Sequence, residues 1–212
     1  MGKPLIAYTL QAAKASKLID RIIVSTDDEA IAKVARRYGA ETPFLRPAEL
    51  STDTSNAEVG LLHAVNWLAE NENYKVDIVV YLQVTDIFRQ RHFVDQVITW
   101  LLEEKTLETA FVGNPTHKKF WIEKEGKFVR LSKKKYITRQ KERKPFVRED
   151  TGLACATRVK VIKRGQRVGD RVKILLNDDP NGGVDIHDIE TLRLAEWILQ
   201  QEKKKRSKKY YY

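Results

Sequence analysis

Hydrophobic positions along the chain switch repeatedly between helical period and short continuous apolar runs. Leu5, Thr9, Ala12 and Ala13 fall on one side of a helix predicted over 5–17. Residues 21–26, with Ile22, Ile23 and Val24 contiguous, have the character of a buried strand. Asp27 or Asp28 can cap the next helix, which carries Ala30, Ile31, Val34 and Ala35 and stops at Tyr38-Gly39, where glycine supplies the left-handed position after a helix. A short extended piece, 41–44, leads through a loop at 45–50 and a polar stretch at 51–56 to a helix predicted over 57–70 that buries Val59, Leu62 and Val65, with Trp67 beside them. Residues 77–82, Asp-Ile-Val-Val-Tyr-Leu, are the strongest parallel-strand signal. A helix over 92–105 and a strand at 109–112 follow.

Strands alternating with crossover-length helices predict an α/β fold with a mainly parallel sheet. The texture changes over 114–148, where short aromatic-containing pieces around Trp121 and Phe128 suggest an inserted antiparallel dimerisation arm. Regular α/β patterning returns at 152–157, at 172–176 and in a last helix over 187–201, with Leu192, Ala195, Trp197 and Leu199 available for packing. This gives one α/β domain over 1–201 and a basic disordered tail over 202–212.

Composition leaves this picture standing. With 42% hydrophobic and 32% charged residues, the 212-residue chain has an ordinary globular balance. No apolar run is long enough to span a bilayer and no secretory leader is evident, so a cytoplasmic protein is expected. Cys155, the one cysteine, reads as a small buried residue between Ala154 and Ala156. The net charge of +10 changes meaning once it is located. Residues 117–149 hold 13 Lys/Arg against 4 Asp/Glu and residues 202–209 hold 6 against 1, which leaves 20 against 24 in the rest. A mildly acidic body with one basic segment and a basic tail is unlike a face that tracks phosphates, so nucleic acid ranks below a small, multiply charged anion as the partner.

Ordered blocks across nearly the whole chain resemble the acylneuraminate cytidylyltransferases, which make CMP-activated sialic acids. They are Gly2-Lys3-Pro4-Leu5-Ile6, the run from Val24 to Ala32, Tyr38-Gly39-Ala40-Glu41 leading to Phe44-Leu45-Arg46-Pro47, Leu82-Gln83-Val84-Thr85 with Arg89, Thr138-Arg139-Gln140, Asp150-Thr151-Gly152, and Val184-Asp185-Ile186. The Kdo cytidylyltransferases share the first blocks. The resemblance implies a Rossmann-like, three-layer nucleotide-diphospho-sugar transferase fold, a homodimer, and magnesium-dependent transfer of CMP from CTP to a nonulosonic sugar acid. It implies Arg46 as a nucleotide-phosphate contact, Gln83, Arg139 and Gln140 as substrate contacts, and Asp185 as the catalytic magnesium ligand.

Three departures qualify what is implied. His187 stands where the family has the second acid of an Asp-Ile-Asp pair, and imidazole suits a hard cation poorly, so Asp185 is expected to hold the metal alone or with help from Asp178 or Asp188. Residues 84–89 read Val-Thr-Asp-Ile-Phe-Arg in place of Pro-Thr-Ser-Pro-Leu-Arg, and Thr151 replaces an Asn. The family's first strand and its phosphate-cradling loop have no counterpart here, which leaves open a truncated active enzyme or a non-catalytic binding or dimer partner. A sheet lacking that strand is expected to carry unpaired backbone groups.

Overall fold

The computed structural model describes residues 2–131, 139, 142 and 144–208. Helices α1 (Leu5–Ala15), α2 (Glu29–Arg37) and α3 (Ala57–Glu72) precede strand β1 (Ile78–Tyr81), and α4 (Arg91–Glu103) crosses over to β2 (Thr109–Thr116). The hairpin β3 (Trp121–Lys124) and β4 (Lys127–Arg130) comes next, followed by β5 (Phe146–Glu149), β6 (Cys155–Arg158), the short α5 (Val159–Ile162), β7 (Val172–Leu176) and α6 (Ile189–Lys208). Caps set several of these boundaries. Asp28 Oδ1 accepts from the Ala30 and Ile31 N–H groups at 2.6 and 3.1 Å, and α2 ends at Gly39 with φ +84°. Asn56 Oδ1 takes the Val59 N–H at 3.1 Å to start α3.

The sheet corrects the expectation of mainly parallel pairing. Its order is β1-β6-β2-β5, with β7 also on β2, and only the β2–β7 pair among these strands is parallel. The α4 crossover does leave β1 and β2 pointing the same way, as helical crossovers require. However, β6 lies between them and runs antiparallel to both. Its residues Cys155, Ala156 and Thr157 are buried on both faces, so its apolar run looks no different from a parallel strand in the sequence. Residues 21–26 are extended, yet they contribute only a parallel bridge from Ile23 to Glu41. A groove of about 790 Å³ lies between this segment and β1, lined by Ile22, Ile23 and Val24 on one side and Ile78, Val79 and Val80 on the other. Since β1 ends the sheet path and pairs only with β6 among the described strands, its second edge is open, where the sequence led us to expect unpaired backbone.

Three apolar clusters hold these layers. Phe93, Val97, Ile98 and Leu101 of α4 pack on Ala110 and Val112 of β2 and on Ala154 and Ala156. Ile6 and Leu10 of α1 meet Ala35 and Ala40. Phe88, Ile186, Ala195 and Ile198 pin α6 to the loop after β1. Trp197, expected to pack, is 59% exposed, because the buried stripe of α6 runs through Ala195 and Ile198. The helix also continues to Lys208, past Gln201 where a disordered tail was expected, and residues 209–212 lie outside the described residues. Cys155 is fully buried, and burial pushes its thiol up to about 12, so it is a packing residue.

At the amino end of β2, Glu108 is almost fully buried yet well satisfied. Its Oε2 accepts from the Asp170 and Arg171 N–H groups at 3.0 and 3.3 Å, and Oε1 faces Arg171, Arg164 and Lys160 at 3.0, 3.5 and 3.6 Å. Burial opposes its charge, but these N–H groups and cations outweigh that and hold its carboxyl below the usual range. A depressed folded-state pKa adds stability that is present above the unfolded value of about 4.3 and is lost as pH falls through the folded one. Glu108→Gln is therefore expected to lower the urea midpoint at pH 7, with the gap from wild type closing below about pH 4; a constant gap from pH 7 to pH 3 would contradict the assignment.

Candidate functional site

The parallel-running strands β1, β2 and β7 end on the same side of the sheet, where open α/β folds bind ligands. Gln83 lies just past β1, and its backbone N–H donates to Gly152 O at 2.9 Å. Its side chain is fixed in orientation: Tyr81 Oη donates to Oε1 at 3.1 Å, and Nε2 donates to Thr85 Oγ1 at 2.7 Å. Each amide atom keeps further hydrogen-bonding capacity toward a ligand.

Arg46 approaches the same groove from the loop after the 41–44 piece. Its backbone N–H binds Thr26 O at 2.8 Å, Nε donates to Ser51 Oγ at 2.8 Å, and Nη2 lies 3.7 Å from Asp27. Gly60 on α3 makes room for this guanidinium, since a Cβ there would stand 3.0 Å from Arg46 Nη1. Ser25 Oγ lies by the same glycine and is buried without a hydrogen-bond partner. Arg46, Ser25 and Gln83 thus line one groove.

Asp185 is brought to this end by a backbone hydrogen bond from Ile186 N–H to Thr85 O, 3.2 Å, and by Ile186 packing on Phe88. Its Oδ2 is 2.9 Å from His187 Nε2, so the two residues, two apart, do project to one side. Its Oδ1 is buried and has no hydrogen-bond partner among the described residues. The expected helpers are occupied elsewhere. Asp188 Oδ1 caps α6 through the Thr191 N–H at 2.8 Å, and Asp178 Oδ1 accepts from Gln90 Nε2 at 3.0 Å. Arg139 is 84% exposed in its side chain and pairs with Glu142 at 3.8 Å, and no hydrogen bond or ion pair joins it to Arg46, Gln83 or Asp185. Gln140 lies outside the described residues.

Sequence reasoning passed over Asp86, although its signal was present as an acid in place of the family's Ser. Asp86 is 7% exposed, and its Oδ2 lies 1.9 Å from where a Cβ on Gly152 would be, so the carboxyl rests on glycine backbone. Burial and then the neighbouring Asp185 raise its pKa to about 6, against the opposing pull of Arg89. Arg89 is half-buried, with its Nη1 enclosed, and it donates to the carbonyls of Gln83 at 3.0 Å, Gly152 at 2.8 Å and Leu153.

A family model described as cytidylyltransferase matches residues 1–205. The chain belongs to this cytidylyltransferase family. Among relatives, a CMP-N,N'-diacetyllegionaminic acid synthase of Legionella pneumophila is 30% identical over 94% of this chain and 86% of its own length. A pseudaminic acid cytidylyltransferase of Campylobacter jejuni is 28% identical over 67% of this chain, but the aligned part is only 62% of that protein. Among solved structures, a CMP:2-keto-3-deoxy-manno-octonic acid synthetase complexed with CTP superposes with a TM-score of 0.68 at 13% identity, covering 95% of this chain and 90% of the other. A 4-diphosphocytidyl-2C-methyl-D-erythritol synthase from Anaerococcus prevotii gives 0.65 at 14%, covering 94% and 90%. At such identities the structures establish the nucleotide-sugar transferase fold for this cytidylyltransferase-family chain.

A raised carboxyl pKa is a stability statement. The Asp86 contribution is fully favourable below the unfolded value near 4 and is lost as pH rises through about 6, because the buried group must then ionise. Asp86→Asn should raise the stability of the metal-free protein by about 1–3 kcal/mol at pH 7.5 and by almost nothing at pH 4, read from urea unfolding at both pH values.

Proposed function

We propose that this chain transfers a cytidylyl group from CTP to a nonulosonic, sialic-acid-like sugar acid. The observation that carries the reading is that Arg46 and Gln83 both line one groove alongside β1, with the Asp185 segment hydrogen-bonded to Thr85, in a chain whose family match spans residues 1–205. In the reaction the anomeric hydroxyl oxygen bonds to the α-phosphorus and the bond to the bridging β-phosphate oxygen breaks. Pyrophosphate leaves with the electron pair, and the hydroxyl proton passes to solvent.

Each residue meets a distinct demand of this chemistry. Arg46 supplies a permanent cation to the triphosphate, anchored through Ser51 so that little side-chain freedom is lost on binding. Gln83, oriented by Tyr81 and Thr85, donates and accepts toward sugar hydroxyls. Asp185 fits a magnesium ion chemically, since its buried, unpartnered Oδ1 is a hard oxygen donor. Magnesium, when bound, would offset phosphate charge and stabilise the charge developing on transfer. Arg139 and Gln140 engage the sugar carboxylate if the basic arm docks over a site, its own or that of a second copy. The hairpin and β5 support such docking, because Phe128 is 70% exposed and Trp121, Val129, Phe146 and Val147 are also exposed. A cytoplasmic homodimer follows from this reading. No helix among the described residues is long and apolar enough to cross a membrane.

The protein should release pyrophosphate from CTP when legionaminic, pseudaminic or N-acetylneuraminic acid is supplied, and turnover with Kdo alone would overturn the substrate class. Asp185→Ala should cut kcat/KM at least a hundredfold, about 3 kcal/mol, with the folding transition retained; unchanged turnover would remove Asp185 from the site. Phe128→Asp should shift the light-scattering mass from dimer to monomer, and a monomeric wild type would remove the dimer from the proposal.

A further inference from the structure

We propose that Asp86 supplies the second carboxylate for the cation assigned to Asp185, in place of the acid whose position His187 occupies. This deepens the proposed function and rests on its cation-dependent reading. The hydrogen bond from Ile186 N–H to Thr85 O joins the two segments, so Asp185 and Asp86 flank one hydrogen-bonded contact, each a single residue away from it.

The occupancy of the surrounding acids singles Asp86 out. Asp150 accepts from Asn114 Nδ2 and pairs with Arg148 at 2.9 Å. Asp178 is held by Gln90, and Asp188 serves the amino end of α6. By contrast, no described residue donates a hydrogen bond to the Asp86 carboxylate or forms an ion pair with it, although the residue is more than nine-tenths buried. Asp185 Oδ1 is likewise buried and unpartnered, while His187 takes Oδ2. A buried carboxylate beside a second carboxylate oxygen that is itself buried and unpartnered is costly unless a cation joins them. Among the described residues no group of three or more His, Cys, Asp or Glu could hold a metal ion, so the site proposed here rests on two carboxylates; magnesium usually takes one or two and completes its shell with water and substrate phosphates. Arg89 is the rival neutraliser of Asp86. Yet its hydrogen bonds among the described residues all go to backbone carbonyls, and no ion pair to Asp86 forms within 4 Å.

Mn2+ binding to the full chain without nucleotide, followed by electron paramagnetic resonance, tests this independently of turnover. The expected result is that Asp86→Asn weakens Mn2+ binding at least tenfold without lowering the thermal midpoint in EDTA, and that adding His187→Asp to that variant restores most of the loss. Asp86→Asn within twofold of wild type, alongside a large loss in Asp185→Asn, would overturn the role of Asp86 while leaving the cation reading of Asp185 intact. Wild-type and Asp185→Asn proteins that both fail to bind Mn2+ would overturn both.

Discussion

The buried guanidinium of Arg89 is the contact on which the carboxyl end of the sheet depends. It donates to the backbone carbonyls of Gln83, Gly152 and Leu153 where β1 ends and the chain enters β6, adding to the Thr9 hydroxyl that donates to Gln83 O at 3.3 Å and the Gln83 N–H that donates to Gly152 O at 2.9 Å. One side chain thus ties the segment after β1 to the segment before β6 just beyond the end of their ladder. Burial lowers the Arg89 pKa to about 10, still well above neutrality, so the charge persists. With this joint closed, Gln83 is held at the groove and Gly152 stays close enough for Asp86 to rest on it.

The two ends of the sheet treat buried carboxylates in opposite ways. At the amino end of β2, Glu108 meets two backbone N–H groups and three cations, so its charge is fully answered within the fold. At the carboxyl end, Asp86 and the Oδ1 of Asp185 have no comparable partners. Low dielectric makes that difference large, because an unpaired buried charge is far more costly than a paired one. The same chain therefore shows a structural solution and an unsatisfied pair, and the unsatisfied pair sits beside Gln83 at the carboxyl end of β1.

How much was legible in advance follows from which interactions are local. Helical periods, the Asp28 cap, the turn at Gly39, the hairpin composition around Trp121 and Phe128, and the ordered family blocks all depend on neighbours in sequence, and the sequence by itself determined them. Arg46, Gln83 and Asp185 could be named from those blocks, since residue type and order are enough to mark a resemblance. Only the tertiary structure decided that β6 runs antiparallel between β1 and β2, because a strand buried on both faces has the same apolar run in either direction. It alone left Trp197 outside the buried stripe and Arg139 apart from the groove. It also turned Asp86 from a departure in a motif into a buried acid beside Asp185, since burial and charge proximity between residues 99 positions apart arise only when the chain has closed on itself.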